Sequence, residues 1–456
     1  MPKAKSETTF EETLREATRT VEDELKLEDI GWTKLGQSAV IIDDAQRVEN
    51  VKLSRLYQLK DPLATQAIRL WTDYTFGSGL TWNVDKEQAK TKSVLEAFWN
   101  SRANASVLSP RGQRVGSDKL LIDGEVFFAI FLGPETKVRY IDPLEITEIV
   151  SNPDDAKDVR YYKREWMSLN DQRTAWYRSV NNIKDEATKD SSGATVQKTD
   201  EALIYHLAYR TITQRGNPLL LPALDWITQY RRFLASRIAI MLALARFAWR
   251  SKVTGGQTAV NAIKAKTNDK EIAAGAHMVE NMGVDTQPIK TDTGASNAWQ
   301  DGRMIRLMIC AAVGIPEQYF GDISTGSLAA AQTVELPMIK MFGSYQQIWA
   351  DAYKDINEVV LEHNNVPEKD WYVDMDFPPI TPLDAIAVAD ALSKTITALP
   401  QLASSNDVIQ QALMALGIND PAQVIEQLNQ EAKGNSTVAL IRELRRYRES
   451  LQEVRR

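Results

Sequence analysis

The sequence contains one cysteine and three histidines in 456 residues, so few side chains are available for metal or thiol chemistry. A single thiol excludes an intrachain disulfide and a cysteine-cluster metal site. Cys310 lies in the apolar run 308–313, which favours a buried, unreactive thiol over a nucleophile. The histidines lack an H-E-x-x-H motif and are each expected to pack or to face solvent: His206, His277 and His363. We predict no metal site and no cofactor.

Motifs of nucleotide hydrolysis and acyl transfer are also absent. No G-x-x-x-x-G-K-[ST] loop occurs, because residues 133–138 and 193–198 both miss the spacing that cradles phosphate. No G-x-S-x-G nucleophile elbow is present. Asp374 and Asp376 could share one face of a strand, as in a metal site, but two solvated acids at a strand end explain the pair better. The sequence therefore predicts a protein that is not an enzyme.

Long apolar runs without charge are missing as well. The strongest candidate for a membrane span, residues 233–249, is slightly short and carries Arg237 and Arg246 near its middle. Each of these arginines would cost a few kcal/mol inside a bilayer. The N-terminal stretch MPKAKSETTFEETLREATRT has no apolar core and cannot be a signal peptide. We expect a cytosolic assembly and no membrane partner.

The formal net charge of −7 argues against a general nucleic-acid coat, but the charges are unevenly distributed. Residues 219–252 carry six cations and a single anion, Asp225, whereas residues 384–433 are mainly acidic and the last twenty residues are basic. A basic belt inside an acidic protein can hold a polyanion locally. A solvated helix face would explain the same counts equally well.

Length and periodicity predict an α+β, predominantly helical chain of two or more sub-domains. Residues 118–210 read mainly as strands, with a hairpin at Asp123-Gly124 between two apolar runs. Three long helices are expected over residues 219–250, 299–313 and 327–363, the last with a kink at Pro337. Shorter helices are predicted near 56–74, 94–99 and 269–282, strands near 80–84, 286–290 and 371–377, and further helices over 381–456.

The helix over 219–250 reads LLLPALDWITQYRRFLASRIAIMLALARFAWR. At 1.5 Å per residue it would form a rod of roughly 48 Å. Pro218 and Pro222 suit its first turn, and Gly255-Gly256 should end it. The segment Gly321–Ser327, GDISTGS, is too small and polar for a packed core loop and leads into an alanine-rich helix. An ordinary capped helix start is the alternative for that segment.

Four short segments, taken in order, resemble segments of tailed-bacteriophage portal proteins, most closely the lambda-like branch. The resemblance covers about residues 55–380 and rests on these stretches: the block that begins DPLA at Asp61 and ends FGSGL at Leu80, RTITQRGNPLLL from Arg210, AAVGIPEQYFGD from Ala311, and SLAAAQ from Ser327. In the last stretch, Gln332 replaces the arginine common in the family, and Leu328 replaces its second serine.

This resemblance implies a portal-type fold assembled as a ring of about twelve subunits around a channel. It divides the chain into a wing, a stem, a clip and a crown. The implied division is an N-terminal acidic segment 1–30, wing 31–210, stem helix 211–250, clip 251–298, second stem helix 299–313, tunnel loop and start of the tunnel helix 314–339, second wing part 340–380, and crown 381–456.

The implied function is a channel for double-stranded DNA at one capsid vertex of a virion, assembled in the host cytoplasm. It would serve DNA packaging and ejection, and dock the terminase large subunit and the head–tail adaptor; the major capsid and scaffold proteins are further expected partners. The assigned residues are Arg231, Arg232, Arg237, Arg246 and Arg250 for the DNA channel, Gly321, Asp322, Ile323, Ser324, Thr325, Gly326 and Ser327 for the tunnel loop, and Lys264, Lys266 and Lys270 for docking.

Two alternatives remain open from the residues alone. The first is a soluble DNA-processing enzyme with a basic cleft, which enzymatic turnover by the isolated chain would reveal. The second concerns the clip, which could be a folded insertion that only ties subunits together.

Overall fold

The computed structural model describes residues 44–85, 87–169, 171–182, 188–211, 214–245, 249–254, 256–261, 284–288, 298–321 and 328–380. The predicted N-terminal segment 1–30, the helix over 269–282 and the crown 381–456 lie outside these residues. The helices are α1 Asp44–Lys60, α2 Pro62–Phe76, α3 Ala89–Trp99, α4 Ala105–Leu108, α5 Pro110–Asp123, α6 Leu224–Ala245, α7 Ala298–Val313 and α8 Leu328–His363.

Between α5 and α6 the described residues form six strands in succession, and these confirm most of the strands predicted over residues 118–210. The strands are β1 Thr81–Asn83, β2 Glu125–Phe131, β3 Lys137–Ile141, β4 Ile146–Asn152, β5 Asp155–Ser168, β6 Asp171–Ser179, β7 Leu203–Ala208, β8 Trp249–Val253, β9 Val284–Pro288 and β10 Asp374–Asp376. Strand β4 was not predicted, because its sequence ITEIVSN lacks a regular apolar alternation. The predicted solvated acids Asp374 and Asp376 are both exposed, on the short strand that pairs with β1.

The largest sheet among the described residues has the order β3-β2-β7-β6-β5-β4. Strands β7 and β6 pair in parallel, and the other neighbours are antiparallel. Strand β2 is buried along almost its whole length because both faces of the sheet are covered there. Phe128 and Ile130 contribute to one core, and Phe127 and Ala129 contribute to a second core on the opposite face.

Helix α8 supplies one side of the larger core. Its buried residues recur every three or four positions, as a single helical face requires: Phe342, Tyr345, Trp349, Tyr353, Ile356 and Val360. The Trp71 ring meets the rings of Phe342 and Tyr345 edge-on at centroid distances of 5.1 and 5.3 Å. Such edge-to-face contacts add specificity to the burial of large aromatic surfaces.

A buried carboxylate, Glu125, fixes the connection that leads into α6. Its oxygens accept from Arg47 at 3.4 Å, from Arg215 at 3.1 Å and from His206 at 3.1 Å. Burial alone would raise the pKa of Glu125, but the hydrogen bond with His206 and the charges of Arg215 and Arg47 hold it below its usual range. The Gly216 amide also donates to this carboxylate at 3.3 Å. Two residues of the RTITQRGNPLLL stretch therefore anchor its backbone to the sheet.

The predicted hairpin at Asp123-Gly124 is wrong. Residues 110–123 form helix α5, and Gly124 ends it in the left-handed conformation with φ +84. The same glycine conformation serves a tight hairpin turn and a helix C-cap, so the Asp-Gly signal could not distinguish the two. Ser109 caps the other end of α5 by accepting from the Gly112 amide, with Pro110 in the first turn.

The predicted helix over 219–250 is too long at both ends. Residues 221–223 form a 3-10 turn, α6 begins at Leu224 and ends at Ala245, and Trp249–Val253 is a strand. Arg250 therefore lies on β8, which pairs antiparallel with β9, and not on a helix. The reason is a pairing between segments more than thirty residues apart, which local helical periodicity cannot reveal.

We expect Gly124→Ala to destabilise the fold far more than Gly193→Ala. Both glycines have a positive φ, but a Cβ at Gly124 would lie 2.3 Å from the Asn217 carbonyl carbon, whereas nothing lies within 4 Å of a Cβ at Gly193. The control, Gly193→Ala, should lower the free energy of unfolding by about 1 kcal/mol because of backbone strain alone. Gly124→Ala should lower it by about 3 kcal/mol, because steric overlap adds to the strain. Urea unfolding measures both, and equal losses would contradict the close approach.

Candidate functional site

Helix α6 leaves the core in its second half. Ile227 is fully buried, whereas Leu234, Ile238 and Met241 are 42%, 58% and 62% exposed. Helix α7 packs against it where Gly302 faces the ring of Phe233, and a Cβ at Gly302 would lie 2.7 Å from that ring. The missing side chain of Gly302 thus allows the close approach of the two helices, which we call the paired helices.

The paired helices carry apolar faces that the described residues do not cover. On α7, Met304, Leu307 and Met308 are between 41% and 68% exposed and lie three and four positions apart, on one side of the helix. On α6, Leu234, Ile238 and Met241 form a comparable row. Clustered apolar side chains of this kind mark an interaction surface, whereas single exposed ones do not.

A groove of about 290 Å³ runs between the paired helices. Its lining combines aromatic rings with three arginines: Tyr230, Phe233, Leu234, Arg237, Ala298, Trp299, Gly302, Arg303 and Arg306. The Arg303 guanidinium lies 5.5 Å from the centre of the Trp299 ring, within the range of a cation–π contact. We call this feature the arginine groove.

Glu317 holds two of these arginines. It lies in the short turn Glu317–Phe320 that follows α7, and it is almost fully buried. Its carboxylate accepts from the Arg303 Nε at 3.0 and 3.2 Å, and from the Arg306 Nε at 3.2 Å, with a further contact from the Arg306 Nη2. A buried carboxylate shared by two guanidinium groups fixes the turn against α7.

The same turn is tied to α8 by a second contact. The Tyr319 hydroxyl donates to the Glu335 carboxylate at 2.9 Å, and its ring packs edge-on against Tyr74 at 6.0 Å. Burial and the hydrogen bond to Glu335 raise the pKa of Tyr319, so the hydroxyl stays protonated at neutral pH. Tyr319 and Glu335 thus bring together the chain on either side of residues 322–327.

The structure separates the sequence-predicted arginines. Arg231 and Arg232 are exposed on α6, and the Arg231 guanidinium lies 5.9 Å from the Tyr57 ring. Arg237 lines the arginine groove, and Arg250 lies on β8. Gly321, the first residue of the predicted tunnel loop, adopts φ +97. The other predicted residues lie outside the described part of the chain: Arg246, Lys264, Lys266, Lys270, Asp322, Ile323, Ser324, Thr325, Gly326 and Ser327.

Sequence analysis missed Glu317, Arg303 and Arg306. The spacing of the two arginines, three positions apart on a predicted helix, was a usable sign of a shared partner. Nothing local identified that partner, because Glu317 follows a helix end and a proline. Cys310 is buried as predicted, and burial raises the pKa of its thiol to about 11.

Two further observations concern the described residues only. No group of three or more His, Cys, Asp or Glu side chains among them could hold a metal ion. None of the helices in this part of the chain has the length and apolarity needed to cross a membrane.

No model of a known protein family matches the sequence, and a comparison with curated proteins gives no match either. A chain in the neck of an empty GTA particle, computed with C6 symmetry, has a TM-score of 0.51 at 14% identity, covering 81% of this chain and 94% of that one. A chain in the virion of a native gene transfer agent particle has a TM-score of 0.47 at 14% identity, covering 81% and 93%.

An HK97-family phage portal protein from Corynebacterium diphtheriae has a TM-score of 0.33 at 12% identity, covering 75% of this chain and 97% of that one. At these identities the comparisons concern the fold alone. The resemblance to phage portal proteins predicted from the sequence is confirmed at that level.

We predict that Glu317→Ala destabilises the protein by about 2 kcal/mol. The change leaves Arg303 and Arg306, which are 31% and 18% exposed, without their shared carboxylate. The control is Glu201→Ala, which removes an 88% exposed partner of Lys198 and should cost less than about 0.5 kcal/mol. Unfolding in urea, followed by tryptophan fluorescence, compares the two. A loss no larger than that of the control would show that the carboxylate does not fix the turn.

Proposed function

We propose that the chain is the subunit of a phage-type portal ring, a non-enzymatic channel through which double-stranded DNA enters and leaves a capsid at one vertex. The observation that carries this proposal is the pair of apolar faces that the described residues leave uncovered on α6 and α7, where these helices extend from a well-packed core. The likeness of fold to a chain in a particle neck supports the same conclusion.

The positions of the two apolar faces favour a ring over a symmetric dimer. Gly302 faces α6, and a helix turns by about 100° per residue, so Met304 lies about 200° away, on the far side of α7. The apolar row on α6 is a different surface. Two different surfaces that pack against each other form a head-to-tail contact, which closes into a ring when the rotation between neighbours allows it.

The subunit number and location rest on comparison. A chain with a similar fold lies in a particle neck computed with C6 symmetry, which supports a symmetric ring, and about twelve subunits is the number that the sequence resemblance implies. The likeness to a chain in a particle neck supports a place in the neck of a virion. Assembly in the host cytoplasm is part of the proposal.

Exposed Arg231 and Arg232 on α6 are the proposed DNA contacts. Repeated around a ring, they would supply belts of positive charge that touch phosphates and ignore base sequence. For Arg246 and Arg250 the same role remains a prediction from the sequence, since their side chains lie outside the described part of the structure.

The clip and the tunnel loop also stay predictions from the sequence. The clip, residues 251–298, would dock the terminase large subunit and later the head–tail adaptor, and normal motor binding after replacement of Lys264, Lys266 and Lys270 would contradict this. The loop 321–327 would follow the DNA as it moves. Packaging of full-length DNA by Gly326→Pro would show that the loop need not move.

Met304→Asp should prevent ring formation and leave a folded monomer, because it places a charge in the apolar face of α7. Met167→Asp is the matched control, since both methionines are 68% exposed and Met167 lies on β5, away from the paired helices. Native mass spectrometry at micromolar concentration should show rings for the wild type and the control. Monomers of the wild type in every buffer, or intact rings of Met304→Asp, would contradict the assigned surface.

The assembled ring should bind double-stranded DNA without sequence preference and with an affinity that falls steeply with salt. Replacing Arg231 and Arg232 by serine should make the dependence of log K on log salt concentration less steep, because fewer counterions are released. Arg69→Ser, on the exposed surface of α2, is the control and should leave the slope unchanged. Equal slopes for all three proteins, or nuclease or ATPase turnover by the chain, would count against a DNA channel.

A further inference from the structure

The lining of the arginine groove contains three arginines and no acidic residue. Arg303 and Arg306 both contact the carboxylate of Glu317. No carboxylate of the described residues lies within ion-pair distance of the Arg237 guanidinium, although its neighbours in the groove include two other cations. Like charges held close together on a partly buried surface repel, so this arrangement is stabilised when a further anion approaches.

One exposed acidic residue of the paired helices, Asp301, lies where it could complement the positive charge of the arginine groove on another copy of the chain. Only Asp225 and Asp301 are acidic in α6 and α7, and both are exposed. Asp301 is three positions from Met304, so it borders the apolar face of α7 rather than the arginine groove. An aspartate in the first turn of a helix is also stabilised by the helix dipole, which would explain Asp301 without any partner. Asp225 has the same position in the first turn of α6 and is therefore a suitable control for this effect.

The symmetry of a ring brings the two features together. If the symmetry axis of the ring runs parallel to the paired helices, each residue has the same position along that axis in every copy. Asp301 is two positions from Arg303, so Asp301 of one copy and the arginine groove of the next copy lie at the same level. The apolar faces packed beside them would exclude water, which strengthens an ion pair and penalises a wrong register.

We infer that the arginine groove receives Asp301 of a neighbouring copy of this chain, with Arg237 as its main partner. The contact is directional, because the acid and the groove lie on different sides of the paired helices. This inference rests on the ring of the proposed function and specifies its interface. It assigns Arg237 to the contact between subunits, in place of the channel role that the sequence suggested.

A charge exchange tests the pairing. Arg237→Glu alone places two acids together at every interface, and Asp301→Arg alone places an arginine against the groove. Each variant should need at least a tenfold higher concentration than the wild type to form rings. An equimolar mixture should restore assembly, because alternation of the two chains pairs opposite charges at every interface. Native mass spectrometry should then find the two chains in equal numbers within each ring.

Two controls and one milder variant keep the result interpretable. Asp225→Arg, the other first-turn acid, and Lys340→Glu, an exposed cation on α8, should assemble like the wild type. Asp301→Asn, a change too small to disturb folding, should assemble more weakly than the wild type at low salt and show less dependence on salt. Thermal melts of the dilute chains show whether each variant folds.

The outcomes distinguish the inference from the proposed function. Wild-type rings together with normal assembly of Arg237→Glu or Asp301→Asn would overturn the inference and leave the ring intact. The inference is also overturned if the two single variants fold but stay monomeric when they are mixed, because the proposed ion pair predicts that mixing restores assembly. Failure of the wild-type chain to form rings would instead reject the proposed function, and the inference with it.

Discussion

The direction of the paired helices depends on a small set of buried polar contacts at the end of α7. The Trp71 indole N–H, inside the aromatic core, donates to the Val313 carbonyl at 3.0 Å. A carbonyl at a helix end has no partner within the helix, so this bond satisfies it and fixes where α7 leaves the core. Glu317 then holds Arg303 and Arg306 from the other side. Trp71 and Glu317 are both buried, and a buried polar group that loses its partner is costly, so a single orientation of α7 is strongly preferred.

A fixed orientation matters because the exposed part of the paired helices carries apolar faces. A flexible helix pair with the same side chains could fold back and cover them, whereas a rigid one presents them to a second molecule. Gly302 contributes to this rigidity, since the close contact with Phe233 leaves little room for the helices to slide. The apolar surface that the described residues leave uncovered is thus a consequence of how firmly these residues hold their own core.

The sequence predicted those features that depend on near neighbours. Helices α7 and α8 and strands β2 and β3 follow from periodicity. The errors arose where distant residues decide the conformation. Gly124 became a helix C-cap because residues 216–218 pack against it, and Trp249–Val253 became a strand because Val284–Pro288 pairs with it. Glu317 was missed for the same reason, because its importance lies in two arginines eleven and fourteen positions away.

The sequence also predicted an arginine-rich helix, but it did not show that these arginines differ in their exposure and in their surroundings. A channel for a moving polyanion needs weak contacts, because each phosphate neutralised adds to the affinity and steepens its dependence on salt. If every arginine of α6 faced DNA in about twelve copies, the polymer would be held rather than passed. Arginines bound between subunits add no phosphate contacts, yet they still fix the register of neighbouring copies. The division between exposed Arg231 and Arg232 and the groove residue Arg237 therefore fits the proposed ring, which must be tightly assembled and bind DNA only weakly.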